Sequence, residues 1–336
     1  MSQATAPLRL SDVARHAGVS PATVSRVLNG NPRVAEANRR LVFAAIEELG
    51  YRPNRVASNL RRRQVQMIGV VMSDIENPHF TQMVRAAEDA AYQRGYRVVV
   101  CNTDEDPVKQ ESYLGMLAAE RVAGAIITPT EAGAPEISEL IDLGTRVVAF
   151  DRVVEDPRAD AVLVNNVAGA RQATTHLIES GHTKVGFVGG PRHIQTGSER
   201  LAGYEEAVQA AGLESLVVAA DFRVEGGRRA AAELMREGAT ALLVANNLMA
   251  VGALTAIHET GRRVSEDVAL IGIDDPPWAE LTDPPLTTLA QPVREMAERA
   301  VELLLERIEG RTTAQHCLFD FQLHHRQSCC ASPPRS

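Results

Sequence analysis

Residues 10–30, LSDVARHAGVSPATVSRVLNG, set two short helical patterns only a few residues apart. In the first, Leu10, Val13, Ala14 and Ala17 recur at i, i+3, i+4 and i+7, which puts them on one helical face, and Gly18 follows as a C-terminal stop. Ser20 is a good N-cap and Pro21 suits the first helical position, so a second helix begins at once and runs to about Asn29, closed by Gly30. This spacing predicts a helix-turn-helix. Val24, Val27 and Leu28 can pack back on the first helix, leaving Thr23, Ser25, Arg26 and Asn29 to face outward. Those side chains carry groups that bond phosphates and base edges. The plainer alternative is a helical hairpin with a solvated polar face, but a third helix from about Ala35 to Leu49 follows. It sets Val42, Ala45, Ile46 and Leu49 on one face, with Gly50 as its stop. Three helices can close a small core.

The run continues through ELGYRPN and RVASNLRRRQ, and its motifs DVA, AGVS, TVSRVLN, ELGYRPN and RVASNL fall in that order. At this spacing the stretch resembles the DNA-binding headpiece and hinge of the lactose-repressor-like (LacI/GalR) transcription regulators. The resemblance implies DNA contacts from Ser20, Pro21, Ala22, Thr23, Ser25, Arg26, Asn29, Tyr51, Asn54, Arg55, Ala57 and Leu60. Arg26 is the expected base reader, while Pro21 and Ala22 can offer only apolar contact. One departure is Ala35, where the family usually has Ser or Thr to cap the third helix. The segment NRVASNLRRRQ is too short to be stable alone as a helix, and Arg55, Arg61, Arg62 and Arg63 make it strongly basic. The resemblance implies that it folds on specific DNA, with Leu60 wedged into a minor-groove base step.

Charge agrees with this placement. The chain has 336 residues and a net charge of -8, but residues 1–64 hold eleven arginines against four acids, a balance of +7 that leaves -15 for the rest. A basic end on an acidic protein marks a nucleic-acid binder whose contacts are confined to that end. The length calls for two or three domains. No run of eighteen apolar residues occurs and MSQATAPLRL lacks the features of a secretion signal, so a cytoplasmic protein with no membrane contact is expected. Cys101, Cys317, Cys329 and Cys330 show no metal-ligand spacing and are read as free thiols, with no metal and no cofactor expected.

From Met67 onward, short apolar runs alternate with amphipathic stretches, the pattern of parallel strands joined by helices. Strands are predicted at 67–72, 97–101, 124–128, 146–150 and 161–164, then at 184–189, 216–220, 241–245, 268–273 and 286–290. Helices are predicted at Phe80–Arg94, Val108–Glu120, Asn166–Ser180, Arg200–Ala211, Gly226–Glu237, Leu248–Thr260 and Arg294–Ile308. Two sets of five strands imply an α/β core of two doubly wound parallel-sheet subdomains. IENPHF, FDR, ERLAGYEEAVQAAG, SEDVALIGIDD and PPLTTLAQP extend the same resemblance over residues 8–328, and the family's core has the periplasmic-binding-protein fold. The domains are then a headpiece at 8–53, a hinge at 54–65 and a core at 66–336. Within the core, one subdomain is expected at about 66–165 plus 291–317 and the other at about 166–290 plus 318–330.

Doubly wound sheets bind ligands at the carboxyl ends of their strands. Asp151 and Arg152 end one predicted strand and Asp274 ends another, Asp74 and Phe80 follow the first, and Phe222 and Asn246 follow two more. Arg200 is expected to open a helix after the loop GPRHIQTGSE and, by the resemblance, to reach the ligand. Carboxylates and a guanidinium fork around apolar walls suit a hydroxyl-rich molecule, so a sugar or sugar derivative is the expected effector. Asp275 and Asn77 serve equally well as turn-shaping or capping residues. Asn247 stands where the family commonly has Asp, and would cap a helix without bringing charge. Ile194 and Asn165 differ from the purine-responsive branch and argue against a purine.

Two other classes fit less well. A secreted solute-binding protein shares the core fold but not the headpiece. A nucleotide-dependent enzyme would need a G-x-G-x-x-G or G-x-x-x-x-G-K-[ST] loop, and neither is present; no catalytic triad is apparent. A repressor controlled by a small effector, binding near-palindromic operator DNA as a homodimer or tetramer, accounts for both ends of the chain.

Overall fold

The computed structural model describes residue 8 and residues 10–28, 33–50 and 65–329. The chain divides into two compact units between Val65 and Gln66. In the first unit, α1 (Leu10–His16), α2 (Pro21–Leu28) and α3 (Glu36–Leu49) enclose a small core. Val13, Val24 and Val42, one from each helix, are fully buried at its centre. Gly18 turns the chain between α1 and α2 at φ 64°, a left-handed conformation that costs a side-chain-bearing residue energy. Val19 then donates its N–H to Ala14 O at 3.0 Å, closing the first helix. Asn29 and Gly30, expected to end α2, lie outside the described residues, as do Tyr51 and hinge residues 54–64 with Asn54, Arg55, Ala57 and Leu60, while Val65, the last residue of the expected hinge, already belongs to β1.

The third helix starts without a side-chain cap. Ala35 already has the extended backbone of an N-cap, φ -56° and ψ 137°, but makes no cap hydrogen bond. Ala35→Ser should therefore stabilise α3 by about 1 kcal/mol. Hydrogen exchange of the α3 amides is expected to slow about fivefold, and unchanged exchange would mean that another group already satisfies the first turn.

The second unit contains strands β1 (Val65–Met72), β2 (Arg97–Asn102), β3 (Val122–Ile127), β4 (Arg146–Phe150), β5 (Asp160–Val164) and β6 (Val185–Gly189). They are followed by β7 (Leu216–Ala219), β8 (Ala241–Val244), β9 (Ala269–Ile273), β10 (Thr287–Ala290), β11 (His316–Phe319) and β12 (Gln322–His324). Its helices are α4 (Pro78–Gln93), α5 (Pro107–Ala119), α6 (Pro135–Asp142), α7 (Asn166–Glu179), α8 (Gln195–Ala210), α9 (Val224–Arg236), α10 (Asn247–Glu259) and α11 (Val293–Ile308). Two six-stranded sheets result, in the orders β11-β5-β4-β3-β1-β2 and β12-β10-β9-β8-β6-β7. The pairing of β12 with β10 is antiparallel, while those of β1 with β2, β3 with β4, β4 with β5, β5 with β11, β6 with β7, β6 with β8, β8 with β9 and β9 with β10 are parallel. Every residue of β3, β6, β8 and β9 is buried, because helices cover both faces and each strand reads as an unbroken apolar run. After β10 the chain returns to the first sheet, where α11 packs on β3, β4, β5 and α4.

The ten predicted strands are all present. Three corrections concern what lies between and after them. Two short C-terminal strands were not foreseen, and since β11 pairs with β5, residues 318 and 319 belong with the first sheet rather than the second. The last crossing thus falls near residue 320. Helix α6 was also not foreseen. Finally, α8 begins at Gln195, so Arg200 sits in its second turn instead of opening it.

Candidate functional site

In the headpiece, Ser20 caps α2 by accepting the N–H of Thr23 at 3.1 Å, and the two hydroxyls lie 2.9 Å apart. Val24 and Val27 face the core, leaving Pro21, Ala22 and Arg26 exposed, with Thr23 and Ser25 partly so. Of the side chains read as DNA-facing, those described on α2 therefore lie outside the headpiece core, as helical spacing requires.

The core site gathers at the carboxyl ends of strands from both sheets. Asp74, Phe80, Asp151, Arg152, Arg200, Phe222, Asn246 and Asp274, the eight residues singled out in the sequence, all line one crevice. In both sheets the strand order reverses beside the first strand of the set, β1 or β6, which opens a crevice there. Three of the eight hold left-handed backbone, Asp151 at φ 68° and Asp274 at φ 74° directly after strands and Phe222 at φ 62° three residues past one. Such conformations persist only where neighbours enforce them. Asp151 N donates to Val162 O and Asp274 N to Leu289 O, each at 3.0 Å, while Asn246 Nδ2 donates to Phe222 O at 3.0 Å. The Phe222 ring lies directly over Gly190, where a Cβ would approach its ring atoms to 2.1 Å.

The arginines are oriented differently. Arg200 donates from Nε to Asn166 Oδ1 at 2.7 Å and from one terminal nitrogen to Ala245 O at 2.6 Å. Asn166 is fixed in turn by Glu199, and Glu199 by Gln195. Arg152 instead forms a bidentate pair with Glu105, at 2.7 and 2.5 Å, and also donates to Pro129 O. Its terminal nitrogens are thus committed within the protein and not left for a ligand. The lining carries five carboxylates, Asp74, Glu105, Asp151, Asp221 and Asp274, against the guanidinium groups of Arg152, Arg200 and Arg223. Burial pushes the Asp74 carboxyl above its ordinary range, against the pull of the Glu76 N–H and Arg223. Acid is therefore in excess in the lining, which disfavours an anionic ligand.

Several contacts join the two subdomains across this crevice. Arg223 meets Asp74 at 3.1 Å, Asn247 Nδ2 donates to Asn77 Oδ1 at 2.8 Å, and Val153 N donates to Gln195 Oε1 at 2.7 Å. Asn77 also caps α4 by accepting the N–H of His79. Asn247 requires a correction: the cap of α10 is Asn246, whose Oδ1 accepts Met249 N at 2.8 Å. Asn247 is 1% exposed, and its amide donates to both Asn77 and the Asp274 carboxylate. Aspartate at 247 would set two carboxylates face to face, so the amide is what this pairing needs. Asp275 does not line this cavity. Desolvation would raise its pKa, but Arg326, Thr288 and His324 hold it below the ordinary range.

Sequence reasoning missed Ser73, His79, Glu105, Thr196, Asp221, Arg223 and Gln291, all of which line the cavity. Ser73 Oγ, both ring nitrogens of His79, Asp151 Oδ1, Arg152 Nε and Gln291 Oε1 are buried there and make no hydrogen bond among the described residues. These polar atoms surround the walls formed by Phe80 and Phe222. Pre-set donors and acceptors around apolar surface are the makings of a small-molecule site.

A three-helix headpiece joined to a two-sheet core with a polar crevice defines a DNA-binding regulator that responds to a ligand. Residues 9–54 match the model of the bacterial regulatory proteins of the lacI family, and residues 174–329 match that of the periplasmic binding protein-like domain. The chain is 37% identical over 309 residues to the HTH-type transcriptional repressor PurR of Aliivibrio salmonicida, covering 90% of this chain and 92% of that protein. It is 36% identical over 304 residues to the ribose operon repressor of Halalkalibacterium halodurans, with 90% and 91% covered. Among solved structures it resembles the lac repressor dimer bound to operator and the anti-inducer ONPF, at a TM-score of 0.85 and 31% identity, covering 97% of this chain and all of that one. The chain belongs to the lacI family of bacterial transcription regulators, and it is a ligand-responsive DNA-binding repressor. Members of this family are transcription regulators rather than enzymes. No helix among the described residues is long and apolar enough to cross a membrane.

Proposed function

We propose that the effector is a neutral sugar or sugar derivative, held between the core subdomains by Asp74, Asp151, Arg200 and Asp274, with Phe80 and Phe222 as walls. The buried, unmatched polar atoms of Ser73, His79, Asp151, Arg152 and Gln291 carry this reading. They mix donors and acceptors on several sides of one cavity, as a ring of hydroxyls requires, whereas a flat base presents its polar atoms only around the edge of one plane. Asn246 spends its amide on Phe222 and Met249, and Arg152 its terminal nitrogens on Glu105 and Pro129, so Asn246 shapes the cavity and Arg152 offers the ligand only its Nε. The excess of acid argues for a neutral molecule over a phosphate or sugar acid. Identity does not separate the ligand classes, since relatives named PurR and ribose operon repressor match almost equally.

The protein acts in the cytoplasm, without catalysis, as a homodimer on a near-palindromic operator. Residues 8–53 form the DNA-binding headpiece, 54–65 a hinge that folds on specific DNA, and 66–336 the effector core. The ligand closes the crevice and changes operator affinity, because it binds the two states unequally. Thermal-shift screening against neutral sugars, sugar phosphates, sugar acids and purine bases tests the assignment. A neutral sugar should raise the unfolding temperature in proportion to the logarithm of its concentration. Stabilisation by purines alone, or by phosphorylated sugars alone, would overturn it.

A further inference from the structure

Away from the crevice, three segments bring a thiol and two imidazoles together. His176 stands in the last turn of α7, and His325 and Cys329 follow β12. One candidate ligand atom from each lies within 4.8 Å of the others. Cys329 Sγ is 3.4 Å from His176 Nε2, and the two imidazole rings meet edge to face with centroids 5.0 Å apart. Zinc bonds of about 2.3 Å to sulfur and 2.0 Å to nitrogen, at tetrahedral angles, place those atoms roughly 3.5 Å apart. The sulfur and the His176 nitrogen already stand at that spacing, and the exposed His325 ring needs to close by only about an ångström.

Burial alone penalises a charged sulfur, but one neighbouring hydroxyl is placed to donate to a metal-bound thiolate. Cys329 is fully buried, and Thr287 Oγ1 lies 3.1 Å from its sulfur. That oxygen already accepts the backbone N–H of Arg326 at 3.0 Å, so its own proton is free to point at the sulfur. The neighbouring backbone is anchored as well: Ser328 Oγ donates to Leu270 O at 2.6 Å and accepts Thr287 N at 2.7 Å.

We propose that His176, His325 and Cys329 form a binding site for a single borderline-soft transition-metal ion, zinc(II) foremost, with the fourth position open to water on the His325 side. A set of two imidazoles and one thiolate selects such ions over magnesium or calcium. The ion would staple the C-terminal segment to the end of α7. Spacing among the cysteines could not reveal the site, because one ligand comes from a distant helix and only one cysteine takes part.

The test is titration of chelator-treated, reduced full-length protein with cobalt(II), which reports thiolate ligation by an intense near-ultraviolet charge-transfer band and tetrahedral geometry by visible bands. One equivalent should bind with both signatures, and zinc(II) should displace it. C329S should abolish the charge-transfer band, while C317S should retain it. Since Cys329 is buried and its replacement risks the fold, H325A at an exposed position is the second variant. It should weaken cobalt binding more than about tenfold, because even residues behind metal ligands are worth that much. Cobalt binding without a thiolate band, or with affinity unchanged in H325A, would overturn the proposal.

Discussion

Arg26→Ala is expected to lower affinity for the operator by about five- to 150-fold at fixed salt, the worth of one bidentate contact to a base pair. Arg26 is exposed on the outer face of α2, whose opposite face is pinned by Val24 and Val27 in the headpiece core. A guanidinium fork on such a face matches the two acceptors of a guanine edge in the major groove, whereas Pro21 and Ala22 at the start of the helix offer no side-chain donor. Binding to random DNA should fall far less, since it rests on phosphate contacts spread over the headpiece. The measurement is a pair of titrations, operator and random duplex, at one salt concentration. An equal loss on both would make Arg26 a phosphate contact and leave base reading to other residues.

At the effector site, Asp274→Ala and Arg200→Ala should each abolish the ligand response over the wild-type concentration range, with affinity for the effector down about tenfold to a hundredfold or more. Hydrogen bonds to charged groups contribute roughly 1.5–3 kcal/mol each, and removing one partner leaves the other buried without a mate. Asp274 gathers Gln291 at 2.8 Å and Asn247 at 3.0 Å, so its loss loosens a cluster that reaches both subdomains. Arg200 is 4% exposed and is aimed by Asn166 and Ala245. Operator binding without effector should stay near wild type in both variants, because neither residue belongs to the headpiece. If both still respond to the same ligand at the wild-type concentration, the effector binds elsewhere.

The strands of the core were legible because helices cover both sheet faces, which turns each strand into an apolar run bounded by polar residues. β11 and β12 escaped because HCLF and QLH are short and half exposed, so burial writes no run into them. Helix α8 was begun too late because its cap position is Ile194, which makes no cap bond, and the residues after it read as a loop. Seven cavity residues were found from their positions after strands, where doubly wound sheets open, while Arg200 came from the family resemblance. Glu105, Asp221 and Arg223 were missed for the opposite reason: in DEDP and DFRVE they look like ordinary solvated charges, and only the folded sheets bring them together. The role of Asn247 was likewise invisible, because its partners Asn77 and Asp274 are remote in sequence.

The left-handed backbone at positions 151, 222 and 274 also bears on how this crevice could change its ligand over evolutionary time. At such φ values only glycine, asparagine and aspartate sit without substantial cost, so positions 151 and 274 have a short menu whatever the effector demands. Phe222 is the exception, a bulky residue kept there by Asn246 and by the bare backbone of Gly190. Ser73, His79 and Gln291 carry no such backbone restriction. New specificities should therefore arise first at those three positions, around an acidic frame that stays the same.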